Sequence, residues 1–222
     1  ILKINPDIVH AHGIFPYPYS IAAFLVRNKF PTLISLHGLM TEDIKYHKGL
    51  NLLFSKFIGK PLEKHIVSRI PYIICPPALK SLIRSRPSSK IYAIPSGIDF
   101  ADLKNSQPLN SIEHPCLLFV GFLRRTKGVD ILIKATSLIK KEVPNVHTYI
   151  VGTGPQEAEL RKLVKELRLN ENVKFEGFVS ECKKYSYYKS ADVCIFPSLY
   201  EPFGIVVLEA MACRKPVVAS NV

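Results

Sequence analysis

Apolar runs rich in β-branched residues alternate along this chain with longer stretches whose apolar positions recur at helical spacing. In the first half the pattern predicts a strand at Asp7–His12, a helix near Ser20–Lys29 and a second strand at Thr32–Leu36. A long helix is predicted over Leu50–Ser68, and short strands at Tyr72–Cys75 and Ile91–Ile94 flank a helix at Pro77–Arg86. Residues 96–115 break the alternation: around PSGID a polar run begins, with Pro108 and Pro115 inside it, and it reads as an interdomain linker. The second half resumes with strands at Cys116–Val120, Thr148–Val151, Val173–Phe175, Asp192–Phe196 and Pro216–Ala219. Helices are predicted between them at Gly128–Lys141, Gln156–Leu167, Lys183–Ser190 and Ile205–Cys213. Strands and helices alternating through short connections predict parallel sheets covered on both faces, a doubly wound α/β architecture. Ligands of such sheets sit beyond the carboxyl ends of the strands, so chemistry is sought in the loops there.

Composition narrows the class. At 222 residues, 47% hydrophobic and 22% charged, the chain suits two small domains or one large one, either able to bury a core, and is neither disordered nor of low complexity. Its longest apolar runs are strand-sized, too short for a membrane-spanning helix. The first residue is Ile1 rather than Met, so the chain is expected to continue upstream. Five scattered cysteines without a C-x-x-C pair argue against a disulfide framework or zinc ribbon and fit a reducing cytosol. The net charge of +12 is uneven: residues 1–111 carry +8 and residues 112–222 carry +4. Much of the excess lies in Lys56–Arg69 and Lys80–Lys90, where basic and apolar residues interleave. This reads either as an anion-binding surface or as an ordinary lysine-rich solvated one. No recognisable nucleic-acid module accompanies it.

The segment EPFGIVVLEAMA, residues 201–212, carries the most specific chemistry. Glu201 follows a predicted strand and Gly204 stands where a helix must begin, so free backbone N–H groups and the helix dipole offer an anion site. Glu209, eight residues after Glu201, can accept hydrogen bonds from a polyol. Two carboxylates beside an anion site suit a ligand bearing both hydroxyls and phosphates, a nucleotide sugar. A second segment, VGFLRRTKG, joins a strand to a helix and brings Lys127, with Arg124 and Arg125, over the same sheet end. Lysine there neutralises charge on a departing diphosphate. Gly152 in VGTGP and Gly177 in EGFV are turn glycines that either admit a ligand closely or simply turn the chain. The Gly-x-Gly-x-x-Gly dinucleotide fingerprint and the P-loop are both absent, which disfavours a dehydrogenase or an NTPase. His10 and His12 alternate on one strand face, a His-x-His pattern without an acidic or cysteine partner nearby in sequence. His37 ends the next strand, either as a substrate contact or as a structural residue.

Together PDIVHAHG, SLHG, IPSGID, VGFLRRTKGVDILIKA, VGTGP, FEGFV and EPFGIVVLEAMACRKPVVAS resemble the family 4 retaining glycosyltransferases over nearly the whole chain. That resemblance implies the GT-B fold of two Rossmann-like parallel-sheet domains facing across a cleft. Residues 1–95 would be part of an acceptor-side domain, 96–115 the linker, and 116–222 a donor-binding domain lacking its last elements. It also implies that Glu201 contacts the donor sugar hydroxyls, Glu209 the ribose, and Lys127 the diphosphate. The amides of Phe203, Gly204, Ile205 and Val206 would assist Lys127. Gly121, Gly152 and the turn Gly177, Phe178, Val179 would lie by the diphosphate or base, and His37 by the donor sugar. The implied donor is a UDP- or GDP-linked hexose, with no cofactor and no metal. The implied acceptor is lipid-linked or a polysaccharide, and the implied location is the cytoplasm, with peripheral contact with an anionic membrane. Phe122 stands where the family usually has arginine, with Arg124 or Arg125 as the nearby substitutes, and Ser96 stands where asparagine is usual. Measured against the family, both domains are expected to be incomplete here. Alternatives at this level are another GT-B enzyme, an epimerase or phosphorylase, and a nucleotide-sugar-binding subunit without turnover.

Overall fold

The structure is a computed structural model that describes residues 2–14, 17–46, 49–83 and 89–222. The chain divides into two compact units, Ile1–Ser96 and Gly97–Val222.

The first unit is a four-stranded parallel sheet, in the order β1 (Val9–His12), β2 (Thr32–Ser35), β3 (Tyr72–Cys75) and β4 (Lys90–Ala93). Helix α1 (Tyr17–Val26) joins the first two strands, and Ile34, Leu36, Ile66, Ile70, Ile73 and Leu79 are fully buried in the core. After β2 come two elements that periodicity does not reveal, a single helical turn α2 (Met40–Asp43) and a 3-10 turn Ile44–Tyr46.

The long helix predicted over Leu50–Ser68 forms as α3 (Gly49–Phe54), a π-helical turn Ser55–Gly59 and α4 (Lys60–Val67). Proline explains the widening: Pro61 has no N–H for the carbonyl four residues back and its ring crowds that turn. The Lys60 N–H accordingly reaches back five residues to the Ser55 carbonyl. The orientation of this run is unusual. Ser55, Gly59, Glu63, Ile66 and Val67 face inward, whereas Leu50, Leu53, Phe54 and Phe57, spaced i, i+3, i+4, i+7, are exposed, Leu50 to 83% and Phe57 to 68%. Glu63, the sole acidic residue in 49–69, is buried and accepts from the Met40 N–H at 2.6 Å, capping α2. The outer face therefore presents Lys56, Lys60 and Lys64 with no carboxylate of its own.

Helix α5 covers only Pro77–Lys80, ending in a turn at Ser81–Leu82. The remainder of the predicted Pro77–Arg86 helix, from Arg84 on, lies outside the described residues.

The second unit is a five-stranded parallel sheet built from β5 (Cys116–Val120), β6 (His147–Val151), β7 (Val173–Gly177), β8 (Val193–Phe196) and β9 (Val217–Ala219). Its order is β7-β6-β5-β8-β9. The connecting helices are α7 (Val129–Glu142), α8 (Glu157–Glu166), α9 (Glu181–Ser190) and α10 (Ile205–Ala212). All five residues of β5 are buried, as a central strand with helices on both faces requires. The strand order reverses between β5 and β8, and a doubly wound sheet opens its ligand crevice at that switch point.

Residues 97–115 pack into this second unit. They carry a short helix, α6 (Ala101–Asn105), which contacts α9. The Lys189 ammonium donates to the Leu103 and Ser106 carbonyls, both at 2.7 Å, Ser190 Oγ accepts from the Leu109 N–H, and Ile112 enters the core. The polar, proline-bearing sequence of this stretch is thus held by side-chain hydrogen bonds from α9 rather than by apolar periodicity.

Among the cysteines, Cys75, Cys116 and Cys194 are buried, and burial pushes the Cys116 and Cys194 thiols up to about 12. They are protonated packing groups at neutral pH.

Candidate functional site

The loops after β5, β6, β7 and β8 are laced together by backbone hydrogen bonds at the carboxyl edge of the second sheet. Gly121 N–H donates to the Val151 carbonyl at 3.0 Å, Leu123 N–H to Thr153, Gln156 N–H to Leu123, and Gly152 N–H to Gly177 at 2.7 Å. The Leu199 N–H donates to the Thr126 carbonyl at 2.7 Å, which ties the β8 loop to the β5 loop. Such close approach needs residues without side chains. A Cβ on Gly152 would stand 2.0 Å from the Gly121 carbonyl oxygen, and one on Gly128 2.0 Å from that of Pro197. Gly128 also has φ of +62°, in the left-handed region, where it closes the 3-10 turn Arg125–Lys127 and opens α7.

This lacing brings two of the expected site residues into contact. Lys127 Nζ donates to Glu201 Oε2 at 2.5 Å, and the pair is mostly buried, with side chains 17% and 20% exposed. Ser198 Oγ donates to the same oxygen at 3.3 Å, leaving Oε1 without a protein partner among the described residues. Gly204, in the left-handed region, precedes α10 as its N-cap, and its Cα lies against the Glu201 side chain: a Cβ there would be 3.4 Å from Glu201 Cγ. The ion pair and the free N–H groups of the first α10 turn therefore meet at the β5/β8 switch point.

Glu209 sits deeper, 5% exposed, with both oxygens already engaged. Tyr188 Oη donates to Oε2 at 2.9 Å and Lys184 Nζ to Oε1 at 2.8 Å. Burial, then the Glu209 charge, pushes the Tyr188 phenol well above its ordinary range, so it remains a donor. Burial pulls Lys184 down, but its bonds to Glu181 and Glu209 outweigh that and hold the ammonium above the ordinary lysine range. Lys184, Tyr188 and Ser198 are the residues that sequence reasoning missed. The available signal was the i, i+4 spacing of Lys184 and Tyr188, which puts both on one face of α9.

The other expected residues are spread along the same edge. Gly152 touches both Gly121 and Gly177 through backbone groups. Arg124, Arg125, Phe122 and Phe178 are exposed, Val179, Phe203 and Val206 half-buried. Ile205 opens α10, exposed.

His37 belongs to the first unit, one residue beyond the buried Leu36 that follows β2. Its Nε2 lies 3.3 Å from His12 Nδ1, with the rings stacked at 5.5 Å. The His10 ring stands 4.1 Å from His12, and its Nε2 is bonded to Ser35 Oγ at 2.8 Å. Burial, then the neighbouring imidazoles, lowers His10 and His37 below the ordinary 6.5. The native state thus favours their neutral forms: the stability they confer is complete above about pH 6.5 and is lost as pH falls below it. The unfolding midpoint is expected to fall between pH 7.5 and 5, and less so in a His10→Asn, His37→Asn variant. Equal slopes for the two proteins would contradict this account.

The family profile described as Glycosyl transferases group 1 matches residues 102–222, and that of Glycosyltransferase Family 4 matches residues 1–102. An uncharacterized glycosyltransferase of Methanocaldococcus jannaschii is 46% identical over 106 residues, 48% of this chain and 27% of the relative. Alpha-monoglucosyldiacylglycerol synthase of Acholeplasma laidlawii is 25% identical over 235 residues, 97% of this chain and 59% of the relative. The solved structure of sucrose-phosphate synthase from Thermosynechococcus elongatus matches with a TM-score of 0.76 at 27% identity, over 100% of this chain and 57% of that one. This chain spans less than two thirds of the length of each.

Proposed function

Because the chain belongs to the glycosyl transferases group 1 family, we propose that it carries the donor site of a retaining hexosyltransferase. Its two parallel-sheet halves are of the GT-B kind. The donor in this reading is a UDP- or GDP-linked hexose and the acceptor a lipid-linked sugar or a polysaccharide.

The observation that carries the reading is the Lys127–Glu201 pair beside the α10 N-terminus at the switch point. A nucleotide sugar supplies a partner for each part of that arrangement. Its diphosphate takes the Lys127 ammonium and the amides of Phe203, Gly204, Ile205 and Val206, which replace solvent around a developing negative charge. The sugar hydroxyls donate to Glu201, and the ribose hydroxyls to Glu209. Arg124 or Arg125 adds positive charge near the loop in which Phe122 stands.

In the transfer step the bond from the anomeric carbon to the phosphate oxygen breaks and the diphosphate keeps the electron pair. The acceptor oxygen bonds to the same face of that carbon and gives its proton to the departing phosphate. No protein nucleophile is needed. Proton NMR of the product from a UDP- or GDP-α-hexose tests this: an α-linkage is expected, and a β-linked product would overturn the retaining assignment.

Contact with an anionic membrane surface belongs to the same proposal. Among the described residues no helix is long and apolar enough to cross a membrane. The outward stripe of Leu50, Leu53, Phe54 and Phe57, with Lys56, Lys60 and Lys64 beside it, suits the interface of an anionic bilayer. By its name, the Acholeplasma relative makes a glucosylated diacylglycerol. Binding to vesicles containing phosphatidylglycerol is expected to weaken with salt, and about tenfold on Phe57→Ser, Leu53→Ser substitution. Absence of binding at low salt would sink this part of the reading.

A further inference from the structure

We propose that Lys184 is a positioning residue for the donor: it holds the Glu209 carboxylate in one orientation, ready for the ribose of a nucleoside diphosphate. This rests on the donor-site reading above and concerns a side chain outside the expected set of site residues.

Glu209 is a nearly fully buried carboxylate, and a buried carboxylate is tolerated only when it is both charge-compensated and hydrogen-bonded. Tyr188 supplies a neutral donor to one oxygen. Lys184 supplies the other donor and the compensating charge, from a side chain only 15% exposed. Both residues project from α9 one turn apart, so a single helix fixes both oxygens of a carboxylate on α10. Glu181, one turn before Lys184, holds the ammonium from the far side at 2.6 Å. The lysine is therefore clamped between two acids and has little freedom to swing away.

Two consequences follow for a ligand. A carboxylate offers about four acceptor sites, and the two protein donors use two of them, leaving two for the vicinal hydroxyls of a ribose. An unpaired carboxylate would also repel the incoming diphosphate. With its charge offset by the neighbouring Lys184 ammonium, Glu209 presents acceptors with less of that repulsion. Affinity and ribose discrimination therefore both depend on Lys184, although the residue itself touches neither the sugar nor the phosphate.

Calorimetric titration of the chain with UDP, GDP and their 2′-deoxy counterparts, in wild type, Lys184→Met and Lys184→Arg, tests the assignment. Lys184→Met is expected to weaken binding of the preferred ribonucleotide about tenfold and to erase its advantage over the 2′-deoxy form. Lys184→Arg is expected to restore most of both. A lysine that merely staples α9 to α10 would instead lower the unfolding midpoint and leave affinity and ribose discrimination unchanged, which would overturn the proposal. A wild-type chain that binds no nucleotide overturns the donor-site reading, and this proposal with it. The two failures are thus told apart by the wild-type titration.

Discussion

Gly128→Ala is expected to destabilise the second unit by about 3 kcal/mol and to break the candidate site at the same time. Part of that cost is the left-handed backbone at φ of +62°, roughly 1–2 kcal/mol for a residue with a Cβ. The rest is steric, because the new methyl would meet the Pro197 carbonyl at 2.0 Å and a backbone oxygen cannot rotate aside as a side chain would. Relief requires the β5 and β8 loops to separate. Those loops carry Lys127 and Glu201, so weaker nucleotide binding should accompany the lower unfolding midpoint. Ile131 Cδ1, 3.3 Å from the same methyl, is a flexible neighbour, and moving it relieves only the smaller clash. An alanine variant with wild-type stability would show that the close approach of the loops is not needed.

Lys127→Ala is expected to separate function from stability. The pair with Glu201 is mostly buried, but Ser198 remains as a partner for the carboxylate, so the fold should lose about 1–3 kcal/mol, the cost of leaving a buried polar group short of a partner. Transfer, by contrast, should fall between about 100- and 1,000-fold, the usual loss when one preorganised donor to a developing negative charge is removed. Lys127→Arg keeps the charge but replaces a point ammonium by a planar fork, and should recover only part of the rate. Initial rates and thermal unfolding of the same three proteins check both halves. A Lys127→Ala variant that turns over normally would remove the lysine from the diphosphate site.

The second sheet was legible in sequence because its physics is local and simple. A strand such as Cys116–Val120, buried on both faces, reads as an unbroken apolar run between turn residues. The amphipathic α7 and α8 show their core-facing residues at helical spacing. Less legible is α9, whose sequence ECKKYSYYKS has no apolar stripe: it packs through Tyr185, Tyr187 and Tyr188, whose rings enter the core while the Tyr188 hydroxyl serves Glu209. Five-residue α6 is too short to show a period and exists because Lys189 and the α9 surface hold it.

The first unit illustrates the opposite limit. Apolar spacing over Leu50–Ser68 correctly implies a helix, yet periodicity cannot say which stripe faces the core, and the more apolar stripe here faces out. The glycines were ambiguous for a related reason. VGTGP fits a ligand-approach loop and a tight turn equally well in sequence, and only the packed chain reveals that Gly152 and Gly154 admit the backbone of the β5 loop. Of the candidate site, the sequence motif singles out the two carboxylates and the lysine. The clamps on Glu209 come from a helix about 20 residues upstream whose contacts only the fold creates.

The measurement that bears most directly on the donor site is calorimetric titration of the chain with UDP, GDP and their hexose conjugates, run without added metal, beside a Glu209→Ala variant. One nucleotide class binding to the wild type, with that binding lost in the variant, is the predicted result and names the donor class. A folded wild-type chain that binds none of them, or a Glu209→Ala variant that binds as well as wild type, would contradict the account.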